Sequence, residues 1–238
     1  MSPSTPPTLL LVAKAPVPGL VKTRLAADVG DEVAATVAAA ALLDTIDACT
    51  LAVGPDRCRL AFSGDLVAAF RADEIDTAAT SWTLTPQRGN GLGERLANAH
   101  SEVAGPVVQI GMDTPQVTPA GLLAVARGLE TADAVLAPAE DGGWWALALR
   151  DPSAARVLRD VPMSTPETYA ATRSALQALG LRVTAGDRLR DVDHLADVAP
   201  VAATAPNTRF AAIATEIATR TADQVAAPFT VRTARTYR

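Results

Sequence analysis

Lys14-Ala15-Pro16-Val17-Pro18-Gly19-Leu20-Val21-Lys22-Thr23-Arg24-Leu25 follows a short apolar run, Leu9 to Ala13, and immediately precedes a helical pattern. A buried strand feeding a Pro- and Gly-shaped loop with three cations is suited to gripping phosphate. Gly19 tolerates positive φ and lets backbone N–H groups approach a ligand, the prolines fix the path of the loop, and Lys14, Lys22 and Arg24 supply charge. The ligand this implies is a nucleoside di- or triphosphate. The stretch is not a Walker A loop, because that motif places Gly directly before its Lys and Val21 stands there instead. On the loop alone, a solvated basic turn remains the alternative reading.

Working outward, residues 31–49 predict a helix, with Val33, Val37, Ala40 and Leu43 at helical spacing and Asp31-Glu32 at its N-terminal end. Arg59 to Phe62 predicts a second strand followed by a short helix from Asp65 to Arg71, and Ser81 to Thr85 a third strand. Leu92 to Val103 reads as a helix and Val107 to Ile110 as a strand. Thr118 and Pro119 form an N-cap and N1 pair for a helix to about Leu129. Ala134 to Ala137 and Trp144 to Leu149 read as strands whose short connection predicts an antiparallel or edge pair. A helix over 166–179 capped by Thr165, and a last strand over 182–184, complete the alternation. The expected fold is α/β, a three-layer α/β/α sandwich on a mostly parallel mixed sheet, with ligands beyond the carboxyl ends of the strands. Residues 8–198 form the expected domain. A C-terminal segment over 199–238 adds a helix near Arg209 to Thr219 and a peripheral tail from 222.

At 238 residues the chain can bury a sizeable core, and its 49% hydrophobic content with 4% aromatics suits helices packed closely on a sheet. The net charge of −5 and the lack of a basic run argue against nucleic acid or an anionic membrane as partner. Cys49 and Cys58, with no Cys-x-x-Cys spacing, predict reduced, partly buried thiols rather than a disulfide framework or zinc site. The N-terminal stretch lacks a basic n-region, and no run of ~20 apolar residues stands out as a membrane span. A cytoplasmic protein is expected.

Asp113 ends a predicted strand in a Gly-x-Asp-x-Pro turn, where a carboxylate can bridge protein, hard divalent cation and phosphate. Asp191-Val192-Asp193 follows another strand of the same predicted sheet, so two acidic loops face a basic one. Asp141-Gly142-Gly143-Trp144-Trp145 sets an acid beside two of the three tryptophans. It reads either as a sugar platform or as a hairpin turn packed by core tryptophans. The glycine-rich loop Gln87 to Arg95 suits close backbone approach to a base or phosphate. His100 reads as structural, and His194 as either a site residue or a surface histidine.

Taken in order, Lys14-Ala15-Pro16 through Gly19, Lys22-Thr23-Arg24-Leu25, Leu92-Gly93-Glu94-Arg95, Gly111-x-Asp113-x-Pro115, Asp141-Gly142-Gly143 and Asp191-x-Asp193 resemble the GT-A-like transferases known as radical-SAM/selenodomain-associated transferases. The resemblance spans roughly residues 8–198 and implies kinship with nucleotide-diphospho-sugar transferases and with guanylyl- and cytidylyltransferases. It implies a GT-A-type fold and a metal-dependent glycosyltransferase using a nucleotide-sugar donor. The alternative is a nucleotidyltransferase acting on a small phosphorylated or carboxylated acceptor. Under that resemblance Ala13, Lys14, Gly19, Lys22, Arg24, Gln87, Gly89, Leu92 and Gly93 bind nucleotide. Asp113 and Asp193 hold Mg²⁺ or Mn²⁺, with Asp191 competing for the second position. Gly142, Gly143 and Trp144 contact substrate, and Asp141 and Lys22 are catalytic. Met112, Trp144-Trp145 and His194 depart from the usual pattern, which bears on the acceptor more than on the fold.

Overall fold

The computed structural model describes residues 6–226. The expected peripheral tail from 222 and the N-terminal stretch therefore lie partly outside the described residues. Seven strands form one sheet: β1 (Thr8–Lys14), β2 (Cys58–Ser63), β3 (Thr83–Pro86), β4 (Val107–Gly111), β5 (Ala134–Pro138), β6 (Trp144–Leu149) and β7 (Val183–Ala185). Their order is β3-β2-β1-β4-β6-β5-β7, and only β6 runs antiparallel to its neighbours. The β5–β6 connection is antiparallel as the short turn predicted, but β6 is central rather than at an edge, because β4 pairs with it on the other side. Its reversed direction brings its first residue, Trp144, to the same sheet edge as the last residues of β1 and β4.

Among the described residues the helices are α1 (Thr23–Val29), α2 (Asp31–Val53), α3 (Ala72–Ala78), α4 (Leu92–Ser101), α5 (Pro119–Gly128), α6 (Thr168–Ala178), α7 (Leu195–Thr204) and α8 (Arg209–Ala226). One face of the sheet packs on α2, α3 and α5 through Leu42, Leu43, Ile46, Ile75 and Leu122. The other packs on α4, α6 and the 3₁₀ segment Pro152–Asp160 through Leu96, Leu158 and Leu176. These two apolar layers make the three-layer α/β/α arrangement. Fully burying a side chain the size of Leu is worth about 1.5–3 kcal/mol, so either layer far outweighs any single polar contact.

The helix α2 departs from the amphipathic reading. Its Ala-rich run Ala38–Ala41 is buried, because a second apolar layer of Phe210, Ala214 and Ile217 from α8 closes over Val37 and Ala41. With a mean hydropathy of 1.6 over its apolar window, α2 is long and apolar enough to cross a membrane, which corrects the expectation that no such run exists. That window is 67% buried within the fold, as a core helix requires. Asp44, in the middle of α2, accepts hydrogen bonds from the backbone N–H groups of Arg209 (3.1 Å) and Phe210 (2.9 Å), so it caps α8 from outside.

Two helix assignments shift. Residues 65–71 form turns rather than a helix: the Asp65 carboxylate accepts from Val67 N–H, and Phe70 N–H donates to Pro16 C=O, so helix begins only at Ala72. The helix expected from 166 begins at Thr168, and Thr165 accepts from Glu167 N–H at 3.3 Å just ahead of it. Thr118 caps α5 as its sequence indicates, accepting from Gly121 N–H at 3.1 Å. Cys49 and Cys58 are free, buried thiols, and burial pushes Cys58 up to about 12.

Candidate active site

The 14–24 loop leaves β1 over the carboxyl edge of the sheet. Gly19 lies in the left-handed region, at φ 74°, where the chain reverses. Lys22 also has positive φ, 48°, a strained setting for a residue with a side chain and one that is over-represented at functional sites. Its side chain is 6% exposed; Nζ donates to the Val192 carbonyl and lies 2.5 Å from Asp113 Oδ1. Lys14 Nζ donates to Leu20 C=O at 2.7 Å, and Arg24 pairs with Asp193. The sequence presents three loop cations, and the structure engages each of them within the chain. Val192 N–H donates to Asp113 C=O at 2.9 Å, so the basic loop and both acidic loops form one interlocked unit.

Asp113, Asp141 and Asp191 line a cleft of about 260 Å³, whereas Asp193 is turned to Arg24 at its margin. Asp191 is pushed up to about 6, first by burial and then by the facing Asp141 carboxylate; Asp113 adds to the shift and Lys22 opposes it. One Asp141 oxygen accepts from Gly143 N–H at 2.7 Å in a local turn. This hard-oxygen set suits Mg²⁺ or Mn²⁺ in kind, and its crowded negative charge is what a cation would relieve. Among the described residues no three His, Cys, Asp or Glu side chains converge as a complete ligand set. Such a cation would take further ligands from substrate phosphate and water, as Mg²⁺ commonly does.

The cleft walls are Val12, Leu92, Leu96, Met163 and Trp144, with Gln109 and Thr114 also lining it, and among the described residues no Lys or Arg lines it. Trp144 is half-buried and donates from Nε1 to Thr172 at 3.2 Å; Trp145 is buried and donates to Asp187 C=O at 2.8 Å. Trp144 and Trp145 both border the cleft, and Trp145 is at the same time buried in the core beneath the turn. Gly143 lines the cleft, but Gly142 serves closure. A Cβ on Gly142 would stand 2.2 Å from Pro166 C=O, and its own carbonyl accepts from Tyr169 N–H.

Of the 87–95 loop only Leu92 reaches the cleft. Gln87 Nε2 donates to the carbonyls of Ala13 (2.8 Å) and Ala61 (3.0 Å), fastening the ends of β1 and β2. Gly89 has φ 133°, and a Cβ there would strike the Glu94 side chain at 2.8 Å. Gly93 packs on backbone, since its Cβ would lie 2.0 Å from Leu158 C=O. His194 is exposed at the start of α7, its N–H donating to Asp197 at 2.8 Å. Sequence reasoning missed Gln109, Thr114 and the 163–168 segment, in which Ser164 adopts φ 59°. A polar Gln109 inside the otherwise apolar run of β4 was the available signal.

Residues 45–165 match a family model, DUF2064, described as an uncharacterized protein conserved in bacteria. No protein of curated function matches the chain by sequence. Among solved structures, a protein from Desulfovibrio desulfuricans G20, provisionally described as a nucleotide-diphospho-sugar transferase, superposes with TM-score 0.76 at 24% identity, covering 89% of this chain and 95% of that one. A cytidylyltransferase from Leptospira borgpetersenii gives TM-score 0.56 at 10% identity over 96% and 100% of the two chains. A nucleotidyl transferase from Methanothermobacter thermautotrophicus gives 0.51 at 19% identity over 82% and 95%. These likenesses establish the fold.

Proposed function

Starting from the fact that the chain belongs to the DUF2064 family of bacterial proteins, we propose that it is a metal-dependent glycosyltransferase using a nucleotide-diphospho-sugar donor. The finer kinship with radical-SAM/selenodomain-associated transferases rests on motif order alone. The observation that carries the proposal is the division of charge at the sheet edge. Cations gather in the 14–24 loop, while the adjoining cleft is lined by Trp144, apolar side chains and carboxylates, with no Lys or Arg among the described residues. A diphosphate suits the first region and an uncharged sugar ring the second.

Lys22 and Arg24 would hold the diphosphate of the departing nucleotide, exchanging their present carboxylate partners for phosphate oxygens. Asp113, with Asp191 or Asp193, would hold Mg²⁺ or Mn²⁺, which when bound supplies charge neutralisation at the diphosphate. Asp141, at the cleft mouth with one oxygen unengaged, would take the proton of the attacking acceptor hydroxyl. Leu92 and Trp144 would exclude water and orient the ring.

The second reading, nucleotidyl transfer to a phosphorylated or carboxylated acceptor, draws support from the cytidylyltransferase-like fold. The cleft without cations disfavours it. Thermal-shift titration against nucleoside triphosphates and nucleotide sugars, with and without Mn²⁺, separates the two. Stabilisation by a nucleotide sugar beyond its parent diphosphate supports glycosyl transfer, and stabilisation by triphosphates only would reject it. A ligand at 100 times its Kd adds about 2.7 kcal/mol, a readily measured shift.

A further inference from the structure

Gln109 is 3% exposed yet lines the cleft, on the face of β4 opposite the Val108 and Ile110 side chains. Its Oε1 lies 3.0 Å from Nε2 of His100, which is fully buried in α4. Burial lowers His100 to about 4, so the ring is neutral and carries one N–H. Placing that hydrogen on Nε2 leaves His100 Nδ1 as a bare acceptor, a cheaper orphan in the interior than a buried N–H. This tautomer fixes the amide orientation: Oε1 is spent on His100, and the Gln109 NH₂, which is not a fully buried orphan, is left free to donate to an occupant of the cleft. Beside it, Thr114 Oγ1 is a buried, unpartnered polar atom lining the same cleft. The free Gln109 NH₂ and the orphaned Thr114 hydroxyl in one cleft are placed to hydrogen-bond an occupant.

We propose that Gln109 is a specificity-determining residue that donates a hydrogen bond to an oxygen of an uncharged sugar ring, with His100 as its positioning residue. This rests on the glycosyl-transfer reading for the identity of the ring. The cleft of about 260 Å³ lies at the small end of ligand sites and has room for one sugar ring. The facing carboxylates repel a phosphate or carboxylate substituent, whereas hydroxyls can both accept from Gln109 and donate to Thr114 or the acids.

Methyl glucoside, mannoside and galactoside, with their monodeoxy analogues, are titrated by ligand-observed NMR against the wild type, Gln109→Leu, and the double variant His100→Leu/Gln109→Leu, in which neither member of the pair leaves the other unpartnered. One hexoside binds the wild type, and one deoxy position costs about fivefold to tenfold there but nothing in either variant. Wild-type indifference to every deoxy position, or equal sensitivity in all three proteins, overturns the proposal; so does failure of every hexoside to bind the wild type. The wild-type deoxy series decides the matter even if both variants misfold. UDP, GDP and CDP are titrated separately. Loss of nucleotide binding with the deoxy effect intact rejects the transferase reading and leaves the assignment of Gln109 standing.

Discussion

Replacing Asp44 with Ala removes the carboxylate through which α2 holds the start of α8. Three contacts go: Arg209 N–H at 3.1 Å, Phe210 N–H at 2.9 Å and Arg209 Nη1 at 3.2 Å. The guanidinium keeps Asp47, 2.5 Å away on a more exposed side, so its charge is not stranded. What remains is two backbone donors at a buried helix start, with Phe210 fully buried beside them. An unsatisfied buried donor costs about 1–3 kcal/mol, and partial hydration near Arg209 sets the expected loss at about 2–4 kcal/mol. For a chain of this size each kcal/mol shifts Tm by roughly 2–4 °C, so differential scanning calorimetry should show a fall on the order of 10 °C. Asp44→Asn, which keeps one acceptor oxygen, should lose about half as much. Hydrogen exchange should quicken in the first turn of α8 before it does in β1. A Tm within a degree of wild type for Asp44→Ala would refute the capping role.

Gly93→Ala should cost about 1–3 kcal/mol in urea denaturation, because a Cβ would overlap Leu158 C=O at 2.0 Å and force α4 off the 3₁₀ segment; a neutral result would mean that this contact yields freely. Lys22→Met and Arg24→Ala should each weaken a nucleoside diphosphate by roughly tenfold while leaving the bare nucleoside unchanged, as calorimetric titration can establish. Equal losses for both ligands would assign these cations to the fold instead. The Asp191 carboxyl, raised to about 6 from 3.8, holds its proton in the folded state over a range where the unfolded chain has released it. Its contribution therefore favours folding most at and below about pH 4 and declines as pH rises to about 6. Asp191→Asn should match the wild type at pH 4 and exceed its Tm at pH 7, and an equal offset at both pH values would contradict the charge crowding.

Features encoded locally were legible in the sequence. Thr118-Pro119 marked the start of α5, the Asp141-Gly142-Gly143 turn marked the β5–β6 pair, and the alternation of strands and helices marked the layers. Features decided by distant partners were not. The turns over 65–71 depend on a hydrogen bond from Phe70 to Pro16, and the α7 helix runs through Pro200 in a stretch rich in Ala, Thr and Pro. At the cleft, the 14–24 and 111–115 loops could be placed at the sheet edge from strand order alone. Side-chain direction could not: Gly93 and Gly142 prove to be packing glycines, Asp191 rather than Asp193 reaches the cleft, and Gln109 gains meaning only once His100 is seen beneath it.

The cover that α8 places over α2 also has a consequence for the chain during its synthesis. The apolar surface around Val37 and Ala41 leaves the ribosome with α2, but Phe210 and Ile217, which close over it, lie more than 150 residues downstream. At about 5–20 residues per second, that surface waits on the order of ten seconds or more for its lid. Over that interval the nascent chain carries a long sticky helix without its cover, a natural client for a holding chaperone, and a ribosome stalled before residue 209 would leave it uncovered.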